Sequence, residues 1–446
     1  MTLVDASRAQ SIEERFPEVF HQPFLKRFGP LLMLIGVILY GVYTVWFFDV
    51  PKLVAEARWE RFGIYMSQWI SYDVQPEFRI SGGQIDIRYP RFSPLGDNPN
   101  PDWVKHNSDG SLTVAVSGNS RSVTIGKTET ILTAHGTTVV VDMSGEHPKV
   151  QGEAPYWMTV YDTNVIANMG FAGDVSISAN RVKVRKRFLG WANFVFDTHS
   201  PFFDKPVGEV VSLIVSGPEL KPGTSNLALA FDNIWNNSAW QHGDVWTKLF
   251  QTIVMAFLGT LLGSVAAFPL AFLAARNITP NRLLNQLLKR FFDFLRSVDM
   301  LIWALFFTRS FGPGPIPGIA AIFFTDAGAL GKVYAEAVEN VDDKQREGVK
   351  SVGASPVIVN RFGVVPQVLP VFISQSLYFW ESNTRSATVI GAVGAGGIGL
   401  KLLEAMGTNA DWDKVAYMVL LILFVVFLFD NVSNAIRSRL IGGPTH

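Results

Sequence analysis

Long apolar runs divide the chain into two membrane-like parts that a polar region separates. Residues 28–48 hold roughly 21 residues without a charge, which at about 1.5 Å per residue span a hydrocarbon core of about 30 Å. Further apolar runs lie at 249–275, 291–307, 319–338, 364–393 and 415–429. The pattern predicts an α-helical integral membrane protein with six transmembrane helices.

The region between the first and second predicted spans has a different periodicity. Short runs alternate apolar and polar residues and are separated by Gly, Asn, Asp and Pro: FRISGGQIDIRY, SLTVAVSG, RSVTIG, TTVVVDMSG and DVSISANRVKVRKRF. This alternation is typical of β-strands. Before them, RWERFGIYMSQWISYDV predicts an amphipathic helix close to the membrane. We therefore expect three parts: residues 1–49, a β-rich insert at 50–242, and a membrane core at 243–446.

Basic residues predict the orientation of the spans. Lys26 and Arg27 precede the first span and Asp49 follows it, so the N-terminus is expected in the cytoplasm. The other basic clusters fall at alternate ends of the later spans, at residues 276–296, 344–361 and 437–439. We expect a membrane protein with both termini in the cytoplasm, the insert in the periplasm and no cleaved signal peptide.

Composition narrows the possible functions. Lys plus Arg and Asp plus Glu number 38 each, which does not favour a nucleic-acid partner. Charged residues make up only 17%, as expected when much of the chain lies in lipid. The sequence holds no cysteine, which excludes disulfides, thiolate metal sites and cysteine nucleophiles.

Two glycine-containing segments imitate nucleotide-binding motifs. Gly394, Gly396 and Gly399 match G-x-G-x-x-G, but the next residues form a membrane span rather than the second half of a βαβ unit. In the segment 326–333, Asp326 and Val333 occupy positions where a Walker A loop requires Gly and Ser or Thr. Neither segment predicts a nucleotide site.

The cytoplasmic loop at 336–366 predicts two short helices joined at a tight corner. Gly353 can end one helix, Ser355 can cap the next, and Pro356 suits its first turn. Such an element transmits force if a cytoplasmic partner grips it. The alternative is an ordinary loop between two spans.

This loop resembles the EAA signature of ABC importer permeases. Glu347, Gly353 and Pro366 stand at the spacing of that signature, whereas Gly348 and Val349 replace its two alanines. The wider runs FLRSVDMLIWALFF, GALGKVYAEAVENVD and GASPVIVNRFGVVPQVLPVFISQSLYFWESNTRSATVIGAVGAGGIG look like the PhnE-like phosphonate-transporter permeases. The likeness covers roughly residues 246–440 and the first span. The insert resembles only a longer subgroup of that family.

The resemblance implies a type I ABC importer permease fold with six transmembrane helices and a β-rich periplasmic domain inserted after the first helix. The implied function is the permease subunit of an ATP-driven importer for phosphonate, phosphate or a related phosphorus oxyanion. The implied partners are an ABC ATPase dimer, a periplasmic binding protein and a second permease copy, in a lipid bilayer. ATP and Mg would bind to the ATPase; this chain would bind no cofactor or metal and would not be an enzyme.

Two other functions stay open at this point. One is a permease for another small solute, such as a methionine-type importer. The other is a membrane receptor or sensor with a periplasmic ligand domain, which six spans without a cytoplasmic domain argue against. A secondary transporter would show internal repeats, and no convincing repeat is visible.

Ionisable residues at membrane depth are candidates for the substrate pathway. Glu381, Asn383 and Arg385 match the family's W-E-x-N-x-R run. Glu381 and Arg385 lie four residues apart, so they can pair on one helix face. Arg385 could attract an oxyanion, or the two residues could form a structural pair. Arg296 and Asp299 could form a second pair, for which a packing or anchoring role is the stronger interpretation.

Two further groups of residues have expected roles, the first implied by the resemblance and the second by the backbone freedom of glycine. Coupling to the ATPase is expected at the cytoplasmic loop, through Glu347, Gly348, Val349, Gly353, Ser355 and Pro366. The glycines after the fifth span allow bends and close backbone approach, and we expect a flexible outer gate or re-entrant segment there, formed by Gly394, Gly396, Gly397 and Gly399. The insert could dock the binding protein, stabilise a permease dimer or bind a ligand.

Overall fold

The computed structural model describes residues 24–57, 59–90, 93–96, 99–118, 120–408 and 411–441. It divides into two compact units, Met1–Ile64 and Tyr65–His446. The first unit contains helix α1 (Phe24–Phe47), the short helix α2 (Val50–Glu56) and the start of α3 (Trp59–Gln68). Residues 28–47 of α1 are long and apolar enough to cross a membrane, as the sequence predicts.

The insert consists of antiparallel strands that form two sheets. The seven-stranded sheet has the order β10-β11-β12-β13-β2-β3, with β1 also paired to β13, and the six-stranded sheet is a meander from β4 to β9. The strands are β1 (Ser71–Val74), β2 (Glu77–Ser81), β3 (Gln84–Arg88), β4 (Val104–His106), β5 (Leu112–Ser117), β6 (Arg121–Ile125), β7 (Glu129–Ala134), β8 (Thr137–Asp142), β9 (Lys149–Val150), β10 (Met158–Val160), β11 (Val165–Asn168), β12 (Gly173–Ser178) and β13 (Arg181–Leu189).

The period-two pattern of the sequence places one face of each sheet in a shared apolar core. Residues of both sheets contribute to this core, for example Val114 of β5 and Val184 of β13, which are fully buried. Val114 pairs with Val123 on the neighbouring strand, and Val184 pairs with Val175. Because side chains alternate between the two faces of a strand, this register buries the apolar set as a whole.

Two helices follow the sheets within the insert, and the sequence pattern did not predict them. They are α4 (Val207–Ser216) and α5 (Asn226–Trp235). The Ser225 hydroxyl accepts the Ala228 N–H at 3.3 Å and so caps α5. The side-chain amide of Asn226 donates to the carbonyl oxygens of Leu213 and Pro218, at 2.7 and 2.8 Å, and this holds the two helices as a hairpin.

The membrane core follows in sequence order. Its helices are α6 (His242–Ala274), α7 (Arg282–Ser297), α8 (Met300–Phe311), α9 (Pro315–Glu339), α10 (Asp343–Ser351), α11 (Pro356–Val359), α12 (Val365–Ile390), α13 (Gly397–Gly407) and α14 (Trp412–Ile441). π-helical turns occupy Asn360–Val364 and Gly391–Ala395. Within the described part of the chain, five segments are long and apolar enough to span a membrane: residues 28–47, 242–274, 315–339, 356–395 and 412–439.

The predicted third span at 291–307 is not a single helix. The chain breaks between α7 and α8 at Val298, and the Asp299 carboxylate accepts the Leu301 N–H at 2.8 Å to start α8. Helix α8 has 12 residues, so at about 1.5 Å per residue it is shorter than the hydrocarbon core. The sequence interpretation missed the break because it considered Asp299 as a possible partner of Arg296 rather than as a helix cap.

Small residues allow α6 and α9 to pack closely. Gly259 and Gly263 stand four residues apart on α6 and face α9. A β-carbon at Gly259 would lie 2.5 Å from the Ile322 Cβ, and one at Gly263 would lie 2.9 Å from the Asp326 Cβ. Membrane helices associate through such close backbone approach. The glycines therefore fix the distance between the two helices.

An aromatic cluster joins the insert to the membrane core. His242, the first residue of α6, is hydrogen-bonded through Nδ1 to the Tyr417 hydroxyl at 2.8 Å, and its Nε2 donates to the Phe194 carbonyl at 2.7 Å. The Trp240 indole N–H donates to the Ala192 carbonyl at 2.8 Å. Because each polar atom has a partner, this junction can be buried without loss of hydrogen bonds.

The Asp197 side chain also holds the segment that leads into α6 in place. Its carboxylate accepts the N–H and hydroxyl of Ser238, at 2.7 and 2.6 Å, and the His199 N–H at 3.1 Å. Burial by itself raises the pKa of Asp197, but the hydrogen bonds from Ser238 and His199 outweigh burial and hold the pKa below its usual value.

Candidate functional site

A buried polar layer joins three helices of the membrane core. The Asn383 side-chain amide on α12 donates to the Asp326 carboxylate on α9 at 2.6 Å and to the Thr260 hydroxyl on α6 at 2.8 Å. All three residues are at most 4% exposed. Helix α6 can approach because Gly263 lies against Asp326. The layer fixes the relative positions of α6, α9 and α12 through directional contacts.

The predicted pathway residue Asn383 thus lies inside the helix packing. The sequence interpretation missed its partner Asp326, which it considered only as a mismatch to Walker A. Asp326 could have been identified from the sequence, because a carboxylate within an apolar span is rare and usually functional.

A second polar layer lies along the same three helices. The hydroxyl groups of Ser264, Tyr334 and Ser376 are hydrogen-bonded to one another at 2.6–2.8 Å. The Tyr334 ring stacks on Phe372 with ring centroids 3.8 Å apart. The two layers together mark one face of each helix as the centre of the bundle.

The predicted pair of Glu381 and Arg385 does not form. Glu381 accepts a hydrogen bond from Arg437 of α14 at 2.9 Å, and Arg385 lies 3.6 Å from Asp430, also on α14. The spacing of four residues allowed a pair within α12, but α14 packs alongside and supplies an opposite charge to each residue. The charges therefore link α12 to α14.

The two links differ in exposure. The Glu381 side chain is 15% exposed, whereas that of Arg385 is 59% exposed. The 3.6 Å separation from Asp430 is longer than a charge-assisted hydrogen bond, so Arg385 is loosely held. Of the three predicted pathway residues, Arg385 has the most exposed side chain.

The possible pair of Arg296 and Asp299 does not form either. Arg296 lies 3.4 Å from Asp293, one turn earlier on α7, and Asp299 caps α8. Asp293 also accepts a hydrogen bond from Lys332 of α9 at 3.0 Å. These contacts tie α7 to α9.

The glycine segment after α12 is tightly packed. Gly394, Gly396 and Gly397 have φ values of +100°, +81° and +71°, which residues with a side chain rarely adopt. A β-carbon at Gly397 would lie 2.3 Å from the Thr252 Oγ1, and that hydroxyl accepts the Ile398 N–H at 2.8 Å. The glycines are required by backbone geometry.

The neighbouring glycines are equally constrained. A β-carbon at Gly399 would lie 1.9 Å from the Thr388 carbonyl oxygen, and one at Gly396 would lie 2.8 Å from the Gly314 carbonyl carbon. The Gly314 N–H donates to the Gly394 carbonyl at 3.0 Å. Substitution of these glycines by Ala is therefore expected to disturb packing as well as any movement. The gate role assigned to Gly394, Gly396, Gly397 and Gly399 stays a prediction.

The loop between α9 and α12 has the corner that the sequence predicts. Helix α10 ends at Ser351, and Gly353 has a φ of +82°. Ser355 stands at the N-cap position of α11 without a side-chain capping bond, and Pro356 is its first residue. Val352 and Val357, on either side of the corner, are 81% and 75% exposed. The corner presents apolar side chains to its surroundings.

The remaining residues of the EAA-like run lie on either side of this corner. Glu347 and Gly348 are exposed on α10, Val349 is half-buried, and Pro366 is exposed in the first turn of α12. A β-carbon at Gly348 would meet nothing within 4 Å. Their coupling role stays a prediction.

Two residues outside the predicted set hold the loop in place. Arg346 donates to the Asn277 carbonyl at 3.0 Å, and Asn277 lies between α6 and α7. Gly363 is buried, and a β-carbon there would lie 3.3 Å from the Arg346 Cα. Gly363 thus allows the close contact between α10 and the π-helical turn that precedes α12.

Comparison with known proteins places the chain in a family. Residues 267–442 match the family model described as binding-protein-dependent transport system inner membrane component. The phosphite transport system permease protein PtxC of Stutzerimonas stutzeri is 38% identical over 191 residues, which cover 43% of this chain and 69% of PtxC. The chain belongs to this family of transport permeases. The predicted PhnE-like resemblance is confirmed. The predicted permease fold with several apolar helices and a β-rich insert is confirmed as well, but five segments of the described residues, rather than the predicted six, are long and apolar enough to span a membrane.

Other members of the family differ in how much they share with this permease. The phosphate-import permease protein PhnE of Mycolicibacterium smegmatis is 38% identical over 191 residues, and these cover 43% of this chain but only 36% of that protein. The methionine import system permease protein MetP of Bacillus subtilis is 26% identical over 181 residues, covering 38% and 82% of the two chains. The MetNI methionine ABC transporter in its inward-facing conformation aligns with a TM-score of 0.39 and 19% identity, over 44% of this chain and 95% of the other.

Proposed function

We propose that this permease is the membrane subunit of an ATP-driven importer for a phosphorus oxyanion such as phosphonate, phosphate or phosphite. The observation that carries the substrate class is the 38% identity to both PtxC and PhnE, whose names specify phosphite and phosphate. The methionine permease MetP is more distant at 26%. The chain has no ATPase role in this proposal; ATP and Mg bind to a partner subunit.

The corner between α10 and α11 supports coupling to that partner. Val352, Val357 and Phe362 are exposed apolar side chains at the corner and on the turn that leads to α12. Arg346 links α10 to the segment between α6 and α7. A displacement of the corner is therefore transmitted to more than one membrane helix. We propose that a groove of the ATPase covers these side chains, with Glu347 at its edge.

Arg385 supports recognition of an oxyanion. A guanidinium carries five N–H donors in a planar fork that matches two oxygens of a phosphoryl group. The contact of Arg385 to Asp430 is loose, so donors stay available to a ligand. Glu381 is engaged by Arg437, and Asn383 by Asp326 and Thr260. We assign Glu381 and Asn383 to the framework that positions Arg385.

The test of this assignment compares Arg385 with its partner. Arg385→Lys keeps the charge without the fork, and Arg385→Gln and Arg385→Leu remove the charge. We expect the substrate concentration at half-maximal uptake to rise in all three and least in Arg385→Lys. Asp430→Asn is the matched control, because it breaks the same pair and leaves the guanidinium. If Asp430→Asn impairs uptake as much as Arg385→Gln, the pair is structural and the assignment fails.

The orientation of the permease is part of the proposal. We propose that both termini and the corner face the cytoplasm and that the insert faces the periplasm, in the bacterial inner membrane. Because the chain holds no cysteine, single substitutions can be labelled uniquely. A membrane-impermeant maleimide added to intact spheroplasts should label Tyr156→Cys in the insert and leave Val352→Cys unlabelled. Both side chains are more than 80% exposed, so labelling of the second alone would reverse the orientation.

The other partners follow from the family. We propose a homodimer of permeases, in which a periplasmic binding protein delivers the oxyanion near the segment Gly394–Gly399. Co-purification with tagged permease should yield the ATPase, and uptake should stop when the Walker lysine of that ATPase is replaced. Uptake that continues with the inactive ATPase would contradict the proposal.

A further inference from the structure

The α4–α5 hairpin carries apolar side chains on its outer surface. On each helix three of them recur every fourth residue and so form one stripe. Their exposed fractions range from 41% to 80%, for Val207, Val211, Val215, Leu227, Phe231 and Trp235. A large exposed apolar patch on a folded protein usually marks an interaction site.

The stripes are distinct from the core of the hairpin. Val210, Leu229 and Ala230 are buried together with Phe202 and form that core. Two polar residues, Ser212 on α4 and Asp232 on α5, are also exposed but lie outside the stripes. Each helix therefore has a buried face, an exposed apolar stripe and an exposed polar edge.

The stripe on α5 continues onto the membrane helix α6. A β-carbon at Gly243 would lie 2.6 Å from the Trp235 Nε1, so Trp235 packs directly on the first turn of α6. One and two turns further along α6, Trp246 and Phe250 are 40% and 66% exposed. Helix α6 is apolar enough to span a membrane. The apolar stripe of α5 therefore adjoins the exposed apolar side chains at the N-terminal end of a membrane helix.

The chemistry of the stripe favours lipid. Tryptophan is enriched where a membrane meets water, and amphipathic helices with Trp, Phe and Leu on one face lie in that interface. The two helices read VGEVVSLIVS and NLALAFDNIW, so their charged residues are Glu209 and Asp232 and neither helix has a basic residue. Attraction to anionic lipid headgroups would need basic residues, so the contact is apolar.

We propose that the α4–α5 hairpin is an interfacial membrane anchor, whose apolar stripes enter the headgroup and acyl boundary of the bilayer at the N-terminal end of α6. The anchor holds the β-rich insert at a fixed height above the membrane. This inference requires that α6 spans a bilayer and is independent of the substrate. A second permease copy and a soluble partner protein are the competing occupants of the stripes.

Site-directed spin labelling of the full chain tests the anchor. The chain has no cysteine, and Val211→Cys and Leu227→Cys place single labels on the two exposed apolar stripes. Ser212→Cys and Asp232→Cys are matched controls on the polar edges. Each labelled protein is reconstituted into nanodiscs of phosphatidylcholine, and collision of the label with oxygen and with a water-soluble nickel chelate is measured.

We expect the labels at 211 and 227 to collide more with oxygen than with the chelate, and those at 212 and 232 to show the reverse. The result should be unchanged when anionic lipid is added, because the contact is apolar. Equal access of the chelate to all four labels would overturn the anchor. Strong spin–spin broadening between two copies at 211 or 227, with low access to oxygen, would overturn it in favour of a dimer contact.

Discussion

The close approach of α6 and α9 yields the most quantitative prediction. Gly259→Ala would place a β-carbon 2.5 Å from the Ile322 Cβ, 2.6 Å from its Cγ2 and 3.2 Å from the Ile319 carbonyl oxygen. Ile322 is fully buried, and its β-branched side chain is stiff, so it cannot turn away. The two helices must therefore separate.

The expected cost follows from the packing of cores. Insertion of a methyl group into a close-packed interior destabilises by about 1–3 kcal/mol. Gly263→Ala meets the Asp326 Cβ at 2.9 Å, a smaller overlap, and should cost less. At Gly41 of α1 a β-carbon meets nothing within 4 Å, so Gly41→Ala should be neutral or, by helix propensity, stabilising by up to about 1 kcal/mol.

Thermal unfolding of the purified full chain in detergent measures the relative stabilities of these three variants. The unfolding temperature should fall most for Gly259→Ala, less for Gly263→Ala, and not at all for Gly41→Ala, which is the matched control. Equal unfolding temperatures for Gly259→Ala and Gly41→Ala would refute the packing of α6 against α9 described above. A lower temperature for Gly41→Ala alone would refute it as well.

Three further predictions concern polar contacts and backbone geometry. Asn383→Leu leaves the buried Asp326 carboxylate without its amide donor, so we expect a loss of about 1–3 kcal/mol in stability and a lower unfolding temperature, and Asp326→Asn should partly restore it. The pKa of Asp197 is lowered in the folded state, so its contribution is present above the unfolded pKa of about 4 and disappears as the pH falls through the folded value. Ser238→Ala should accordingly lower the unfolding temperature at pH 7 and by a smaller amount at pH 3. Gly397→Ala, at a φ of +71°, should reduce the yield of folded protein as well as uptake, and normal yield with normal uptake would contradict the described turn.

The sequence predicts the secondary-structure elements that follow one simple pattern, either the alternation of a β-strand or the long apolar run of a membrane helix. The hairpin β2–β3 and the hairpin β12–β13 both appear where alternating runs are separated by turn residues. The membrane helices appear where apolar residues predominate over about 20 residues. The break at Val298 could have been predicted as well, because Asp299 has the position of a helix cap.

Contacts between helices could not be read from spacing along one helix. Glu381 and Arg385 are close in sequence, yet each finds its partner on α14, more than 40 residues away. Asn383 was named from the family pattern, but its contacts with Asp326 and Thr260 require three helices to meet. Single-sequence periodicity gives the face of a helix and leaves its neighbour undetermined.

Uptake by the assembled transporter tests the central claim most directly. Cells that lack other phosphorus transporters would express this permease with its ATPase and binding protein and receive labelled phosphate, phosphite, methylphosphonate or methionine. The account predicts accumulation of at least one of the three phosphorus oxyanions and none of methionine, and loss of that accumulation when the ATPase is inactive. Accumulation of methionine without any of the three oxyanions would contradict it.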